Sequence, residues 1–352
     1  MRLLERTIGS IGPIDKEAAD RAGRRLDSLT KPVGSLGLLE EIARRYAAIR
    51  HDDSGVLGRI AITIFAADHG VVQEGVSAYP SAVTAQMVRN LANGGAAIAV
   101  LARRFGYQLL ITDIGVAGEP SLTAVPGVRC LKLGAGTRNF LNGPAMSTDQ
   151  ARRAIQIGIE TAQNLAESGV TLIGTGEMGI GSTTSASALI ARLTGIDPTE
   201  IVGRGTGLDD AGLRRKREVV KAALVRHATR DPIEALAAFG GFEIGALAGV
   251  CLGGAAARIP VVVDGFVATA GALIAERLRL GLRESLFFGH RSAEGGHAVV
   301  LDKLGVRPIL DLDMRLGEGS GAALAMRVIE SALALYTEMA TFADAGVSGK
   351  NT

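Results

Sequence analysis

The chain has 352 residues, and its 38 Lys and Arg residues nearly balance its 36 Asp and Glu residues, giving a formal net charge of +2 at pH 7. This balance excludes the strong positive field typical of proteins that bind nucleic acid or anionic membranes. The two cysteines have no zinc-site or disulfide-framework spacing, no apolar run is long enough to span a membrane, and the N-terminus lacks a signal-peptide core. We therefore expect a globular, cytoplasmic protein that holds no metal ion.

The predicted elements begin with a pair of helices in residues 13–49, where charged and apolar residues follow helical spacing around a turn-like segment at 31–37. Short apolar runs, most of them rich in β-branched residues, then predict strands. These runs span residues 60–66, 109–114, 170–174, 259–263 and 308–312. Further helices are expected in the Ala-rich stretches 149–168 and 210–227 and in residues 321–342.

This alternation of strands and helices predicts an α/β fold: a three-layer, Rossmann-like, mostly parallel sheet with helices on both faces. We expect residues 1–50 and 321–352 to form a small helical domain, and residues 51–320 to form the large α/β domain that carries the active site. Ligands of such sheets bind at the carboxyl ends of the strands.

A glycine-rich segment, GTGEMGIGSTT at residues 174–184, leaves a predicted strand and enters a helix. Backbone N–H groups there, with the hydroxyls of Ser182 and Thr183, could hold a phosphate. The segment matches neither the P-loop nor the dinucleotide-binding fingerprint, and a capped β–α turn would explain it as well. The carboxylate of Glu177 would repel a phosphate, so we expect it to contact a sugar instead.

A second segment, RLGEGSG, places Glu318 between two glycines, just before a helix expected to begin near Ser320. The glycines let the backbone bend and leave the carboxylate free to enter a cleft. Shielded from water, such a carboxylate has a raised pKa that suits a general base near neutral pH. A simple favourable charge at a helix N-terminus is the alternative reading.

Three other segments carry polar residues. Asp68 and His69 end a strand, and because no nucleophile accompanies them, we interpret them as buried, hydrogen-bonded groups. The acidic pair 209–210 is better explained as a helix cap, whereas Lys216 in the following basic run could turn inward toward a phosphate. In FFGHRSAEGGH, at residues 287–297, the glycines favour a loop over a metal site, and Ser292 is a candidate phosphate or ribose donor.

Taken together, these segments resemble the nicotinate-nucleotide:dimethylbenzimidazole phosphoribosyltransferase family. The matching stretches recur in order along nearly the whole chain: LDSLTKPVGSLGLLE, AADHGVVQEGVSAYPSAVTAQM, GTRNFLNGPAM, GTGEMGIGSTT, GRGTGLDD, PVVVDGF, HRSAEGGH and RLGEGSGAALAM. The resemblance implies transfer of the 5-phosphoribosyl group from nicotinate mononucleotide to 5,6-dimethylbenzimidazole, with inversion, by a homodimer that needs no cofactor.

By the same resemblance, Glu318 is the catalytic base and Glu177 the second carboxylate of the site. The phosphate and ribose contacts are expected at Gly179, Ser182, Thr183, Lys216 and Ser292. The pocket for the acceptor base is expected at Tyr79, Pro80, Gln86, Met87 and Leu316.

Two departures leave alternatives open. The family often has Asn where Ser182 stands, and the acceptor loop varies, so adenine or a phenol remains possible as the acceptor. A non-catalytic mononucleotide-binding module is the competitor from another class, but it gives no role to Glu318. An NAD-dependent oxidoreductase is disfavoured because the chain lacks the glycine fingerprint with its acidic partner.

Overall fold

The computed structural model describes residues 2–118 and 121–348. Its centre is a seven-stranded sheet in which each neighbouring pair of strands is parallel. The strands are β1 (Arg59–Ala67), β2 (Gln108–Gly115), β3 (Val128–Cys130), β4 (Val170–Met178), β5 (Val261–Val263), β6 (Leu286–His290) and β7 (Pro308–Leu310). They lie in the order β3-β2-β1-β4-β5-β6-β7. From β1, the next two strands are added toward one edge of the sheet and β4 to β7 toward the other, so the order switches between β1 and β4. Such a switch point creates a crevice at the carboxyl ends of the strands.

Helices cover both faces of this sheet. They are α1 (Arg2–Ser10), α2 (Lys16–Ser28), α3 (Leu38–Arg50), α4 (Ala82–Ala92), α5 (Ala97–Phe105), α6 (Thr148–Glu167), α7 (Ser182–Thr194), α8 (Pro198–Ile201), α9 (Asp210–Arg226), α10 (Pro232–Phe239), α11 (Phe242–Ala256), α12 (Phe266–Leu278), α13 (His297–Leu304), α14 (Ser320–Glu338) and α15 (Phe342–Ala345). Among the described residues, no helix is both long enough and apolar enough to cross a membrane.

Side chains on the two faces of β1 pack into two separate hydrophobic cores. Ala61 and Phe65 join the core that includes α6, α7, α11 and α12. Ile62 and Ile64 join the core that includes α3 and α14. Because successive side chains of a strand point to opposite faces, a continuous apolar run is what a strand covered on both sides requires. The predicted three-layer α/β fold is therefore confirmed.

Helices α6 and α11 pack closely because glycines stand at their contact. A Cβ atom added at Gly158 would lie 1.9 Å from the carbonyl oxygen of Ala246, and one at Gly249 would lie 2.0 Å from the oxygen of Ile155. Real Cβ atoms do not approach oxygens this closely, so a side chain at either position would push the helices apart.

We expect Gly158→Ala to lower the free energy of unfolding by about 3 kcal/mol, because overpacking at this contact outweighs the better helix propensity of alanine. Denaturant unfolding measures the change. Gly9→Ala in α1 is the matched control, since no atom lies within 4 Å of its added Cβ. Equal losses in the two variants would contradict the packing explanation.

The sequence prediction places most strands correctly and omits two. The strand predicted at 170–174 continues to Met178, so Glu177 belongs to β4 rather than to the following loop. Of the omitted strands, β3 has three residues, and β6 lies partly in a segment that its glycines assign to a loop. A Cβ at Gly289 would lie 3.0 Å from the oxygen of Val263 and 3.2 Å from Ala322 Cα, so this glycine lets β6 fit between β5 and α14.

The N- and C-terminal helices contact each other. The Thr30 N–H donates to the carbonyl of Ala340 at 3.0 Å, and Arg25 Nε donates to the carbonyl of Tyr336 at 2.9 Å. Helix α14 also packs on the sheet, through β4 and β6. The division into a helical domain of residues 1–50 and 321–352 and an α/β domain of residues 51–320 stays a prediction.

Candidate active site

A partly open cavity of about 280 Å³ lies at the carboxyl ends of β4, β5 and β6, beside the switch point. Most of the predicted site residues lie in its wall: Tyr79, Glu177, Gly179, Ser182, Thr183, Ser292, Leu316 and Glu318. Four predicted residues, Pro80, Gln86, Met87 and Lys216, are not part of the wall. The structure thus gathers residues that are up to 239 positions apart in the chain.

Glu318 occupies a strained backbone conformation. Its φ is +62°, between Gly317 at +82° and Gly319 at +83°, so three consecutive residues lie in the left-handed region. This conformation costs a residue with a side chain about 1–2 kcal/mol. Asp264 holds the turn, because its carboxylate accepts hydrogen bonds from the N–H groups of Gly319 at 3.1 Å and Ala322 at 2.8 Å. The fold therefore maintains a strained glutamate whose side chain lines the cavity.

Four buried carboxyl groups line this cavity, those of Glu177, Asp264, Glu294 and Glu318. Burial, and then the charges of Glu243, Asp264 and Glu318, raise the pKa of Glu177 to about 8. Burial and the charge of Asp264 raise the pKa of Glu318. Burial also raises the pKa of Asp264, although neighbouring His290 and backbone N–H groups oppose it. Like charges in a space of low dielectric resist joint ionisation, so a cationic ligand in the cavity would favour the release of protons from these groups.

The glycine-rich segment forms the turn between β4 and α7. Gly181 has a φ of +97°, and a Cβ at Gly179 would lie 2.3 Å from the carbonyl oxygen of Ala67. The Ile180 N–H donates to the hydroxyl oxygen of Thr84 at 3.1 Å. The glycines therefore allow the turn to sit directly on the end of β1, where the first residues of α7 reach the cavity.

Lys216 is buried behind the cavity. Its Nζ donates to the hydroxyl oxygen of Thr183 at 2.8 Å and to the carbonyl of Gly203 at 3.2 Å, and it lies 3.9 Å from Glu294. Burial lowers the pKa of Lys216 to about 8, while the charge of Glu294 opposes the shift. Lys216 would therefore act on a ligand through its hydrogen bond to Thr183, which lines the cavity. In the same helix, Asp209 accepts from the Gly212 N–H at 2.7 Å, which confirms the predicted cap.

Ser292 is fixed by a buried neutral histidine. Its N–H donates to His297 Nδ1 at 2.9 Å, so the proton of His297 is on Nε2, which lies 3.0 Å from the Thr269 hydroxyl. Burial, and then the charge of His290, lower the pKa of His297 to about 3. This histidine therefore orients the segment that carries Ser292.

Within the described residues, no group of three or more His, Cys, Asp or Glu residues could hold a metal ion.

The predicted acceptor pocket is brought together only in part. Tyr79 and Leu316, which are 52% and 55% exposed, line the cavity, whereas Gln86 and Met87 lie on α4 outside its wall. The loop that carries Tyr79 is anchored because the Ala78 N–H donates to the Thr206 hydroxyl at 3.3 Å.

Sequence reasoning missed two parts of the cavity. One is Asp264, and the other is the N-terminus of α12, where Phe266 and Val267 line the wall and Gly265 provides no side-chain cap. Uncapped N–H groups at a helix start attract anions. The available signal is the position of Asp264, directly after the predicted strand 259–263, because an acid at the carboxyl end of a buried parallel strand reaches the ligand edge of the sheet.

Comparisons with known proteins agree with this architecture. A phosphoribosyltransferase family model matches residues 11–347. The nicotinate-nucleotide:dimethylbenzimidazole phosphoribosyltransferase of Chloroflexus aggregans is 53% identical over 352 residues, covering 99% of each chain. The protein of the same name from Geobacter sulfurreducens is 48% identical over 350 residues, again covering 99% of each chain. The crystal structure of CobT from Thermus thermophilus matches with a TM-score of 0.90 and 49% identity, over 95% of this chain and 100% of that chain.

The match thus extends over the whole sheet and the residues around the cavity. The chain belongs to the nicotinate-nucleotide:dimethylbenzimidazole phosphoribosyltransferase family.

Proposed function

We propose that this protein transfers the 5-phosphoribosyl group from nicotinate mononucleotide to 5,6-dimethylbenzimidazole, giving α-ribazole 5′-phosphate and nicotinate. The observation that carries the proposal is Glu318, a buried acid in a left-handed turn that lines the cavity of a chain from this family. A mononucleotide-binding module without catalysis would have no use for such a residue. Strain of this kind is characteristic of functional sites.

The reaction proceeds as one displacement. The unprotonated ring nitrogen of the acceptor attacks C1′ of the ribose, on the face opposite the nicotinate. The bond from C1′ to the nicotinate nitrogen breaks, and its electron pair neutralises the pyridinium. Glu318 takes the proton from the other ring nitrogen of the acceptor, so the charges balance. Because the donor is the β anomer, this single inversion gives the α product.

Glu177 stabilises the positive charge that develops on the ribose in the transition state. The pyridinium of the donor is itself cationic, so its arrival favours ionisation of both Glu177 and Glu318 in the buried cavity. The leaving group already carries its positive charge, and the reaction therefore requires no metal ion to neutralise a pyrophosphate.

The phosphate and ribose are bound by groups on two sides of the cavity. The Ser182 and Thr183 hydroxyls and the backbone at Gly179 lie on one side, with Lys216 behind Thr183. Ser292 and the uncapped N-terminus of α12 lie on the other. Tyr79 and Leu316 offer surface to the acceptor ring. The remaining predicted pocket residues, Pro80, Gln86 and Met87, would complete that surface only if the loop and α4 move toward the cavity.

Incubation of the protein with nicotinate mononucleotide and dimethylbenzimidazole tests the proposal, and release of nicotinate is the expected result. Omitting the acceptor distinguishes transfer from hydrolysis. A competition among benzimidazoles, adenine and phenols then ranks the acceptors, since a flat apolar pocket separates similar rings by only about 1–3 kcal/mol. A folded sample that releases no nicotinate with any of these acceptors would contradict the proposed transferase activity.

We also propose that the protein acts as a cytoplasmic homodimer, which its family membership supports. Light scattering would measure the mass in solution.

A further inference from the structure

A buried chain of three polar side chains lies directly behind the cavity. His69 follows β1, and its Nε2 lies 2.7 Å from Glu243 Oε1, where the ring N–H donates to the carboxyl oxygen. In that tautomer Nδ1 accepts from the Ser185 hydroxyl at 2.9 Å. All three residues are at most 2% exposed. None of them lines the cavity, so the proposed reaction leaves them without a role.

These contacts join the starts of two helices to the end of β1. Ser185 lies in the first turns of α7, which follows the glycine-rich turn, and Glu243 lies in the first turn of α11. A Cβ added at Gly241 would lie within 2.4 Å of both Glu243 oxygens and of His69 Cε1, so a glycine at this position lets the backbone pass directly beside the hydrogen-bonded pair.

His69 also supports the glycine-rich turn itself. A Cβ at Gly179 would lie 3.3 Å from His69 Nε2, and one at Gly181 would lie 3.0 Å from His69 Cβ. The imidazole ring is thus packed against the turn whose opposite side lines the cavity. The position of the ring therefore supports the turn and the neighbouring Ser182.

Glu243 contributes a charge as well as a contact. Its Oε2 has no hydrogen-bond partner among the described residues, so the buried charge is compensated only in part. The charge of Glu243 is one of three that act on Glu177, the others being Asp264 at the end of β5 and Glu318 before α14. Asp68 and His69 face Glu243 from the end of β1.

We propose that Ser185, His69 and Glu243 form a positioning relay that fixes the glycine-rich turn for the donor. The hydroxyl end of the relay joins His69 to α7, and the carboxylate end joins His69 to α11, from where the charge of Glu243 also acts on Glu177. This inference rests on the proposed transfer reaction and adds residues that act through Glu177 and the turn.

Two substitutions separate the two effects. Ser185→Ala removes the hydrogen bond that holds His69 against the turn and leaves the charge of Glu243, so kcat/KM for nicotinate mononucleotide should fall about tenfold, mainly through KM, with an unchanged pH profile. Glu243→Gln removes the charge, so Glu177 should ionise more readily, and the acidic limb of the kcat/KM profile should move to lower pH by roughly one unit. The acceptor titrates equally in all samples, so it does not affect the comparison.

Glu276→Gln is the matched control. Glu276 is also a buried glutamate, but its oxygens accept from the Gly281 and Arg283 N–H groups, beyond the C-terminal end of α12. The control should keep the wild-type rate and pH profile. Folded Ser185→Ala and Glu243→Gln proteins that match the wild type in KM and in pH profile would overturn the relay. Ser185→Ala carries the test alone if Glu243→Gln does not fold, whereas a wild-type protein that releases no nicotinate would refute the proposed function instead.

Discussion

Replacing Glu318 with glutamine is expected to lower kcat by about 10²–10⁴, the usual contribution of a general base, while donor binding changes little. Glutamine keeps the shape of the side chain but cannot take the acceptor proton. For the same reason, the wild-type rate should fall as the pH falls through the raised pKa of Glu318, because protonation disables the base. Initial rates of nicotinate release measure kcat, and calorimetric titration measures the affinity for nicotinate mononucleotide.

Asp313→Asn provides the matched control for this substitution. Asp313 is also an acid with a left-handed backbone, at a φ of +53°, but it lies outside the cavity wall. Its amide variant should keep the wild-type rate. Glu318→Gly adds a second comparison, since it relieves the strain and should gain stability while losing activity. If the Glu318→Gln protein retains full turnover, a group other than Glu318 takes the proton from the ring nitrogen of the acceptor base.

Sequence patterns were sufficient to predict five of the seven strands because a strand covered on both faces is almost entirely apolar, as residues 60–66 are apart from Thr63. They also indicated Glu177 and Glu318, each an acid in a glycine-rich segment, and both residues line the cavity. They failed for β6, where Gly289 signals a loop in the sequence but serves as a close contact beside Val263 in the fold. Hydrophobic periodicity predicts the type of an element and which of its faces is buried. It does not show that a neighbouring segment lies so close that a position must be glycine.

Contacts between distant segments determine what the sequence leaves open, such as the inward turn of Lys216, and what it omits. Lys216 stands in a basic run that resembles a solvated helix face, and only the position of Thr183 determines that it turns inward. Glu243 lies in an apolar helix 174 residues from His69, so no local pattern pairs them. The N-terminus of α12 likewise reaches the cavity only because β5 ends beside β4 and β6. Such groups acquire function from the order of the strands.

Glu177→Gln is expected to raise the free energy of unfolding by a few kcal/mol at pH 8 and by much less at pH 5, although it removes a residue of the proposed site. Because the pKa of Glu177 rises from 4.5 to about 8 on folding, the folded state binds this proton more tightly than the unfolded state. Stability from this group is therefore fully present below pH 4.5 and is lost as the pH rises toward 8, at about 1.4 kcal/mol per unit. Glutamine is neutral throughout and escapes that loss.

Denaturant unfolding of both proteins across this pH range measures the difference. Asp197→Asn serves as a control of opposite sign: the pKa of Asp197 is lowered by hydrogen bonds from Thr199, so its substitution should reduce stability at pH 8. A constant difference between Glu177→Gln and the wild type would mean that the buried proton resides on Glu318 or Asp264 instead. The expected gain in stability, combined with a loss of turnover, would mean that the fold bears an energetic cost to keep a carboxyl group where the ribose becomes positively charged.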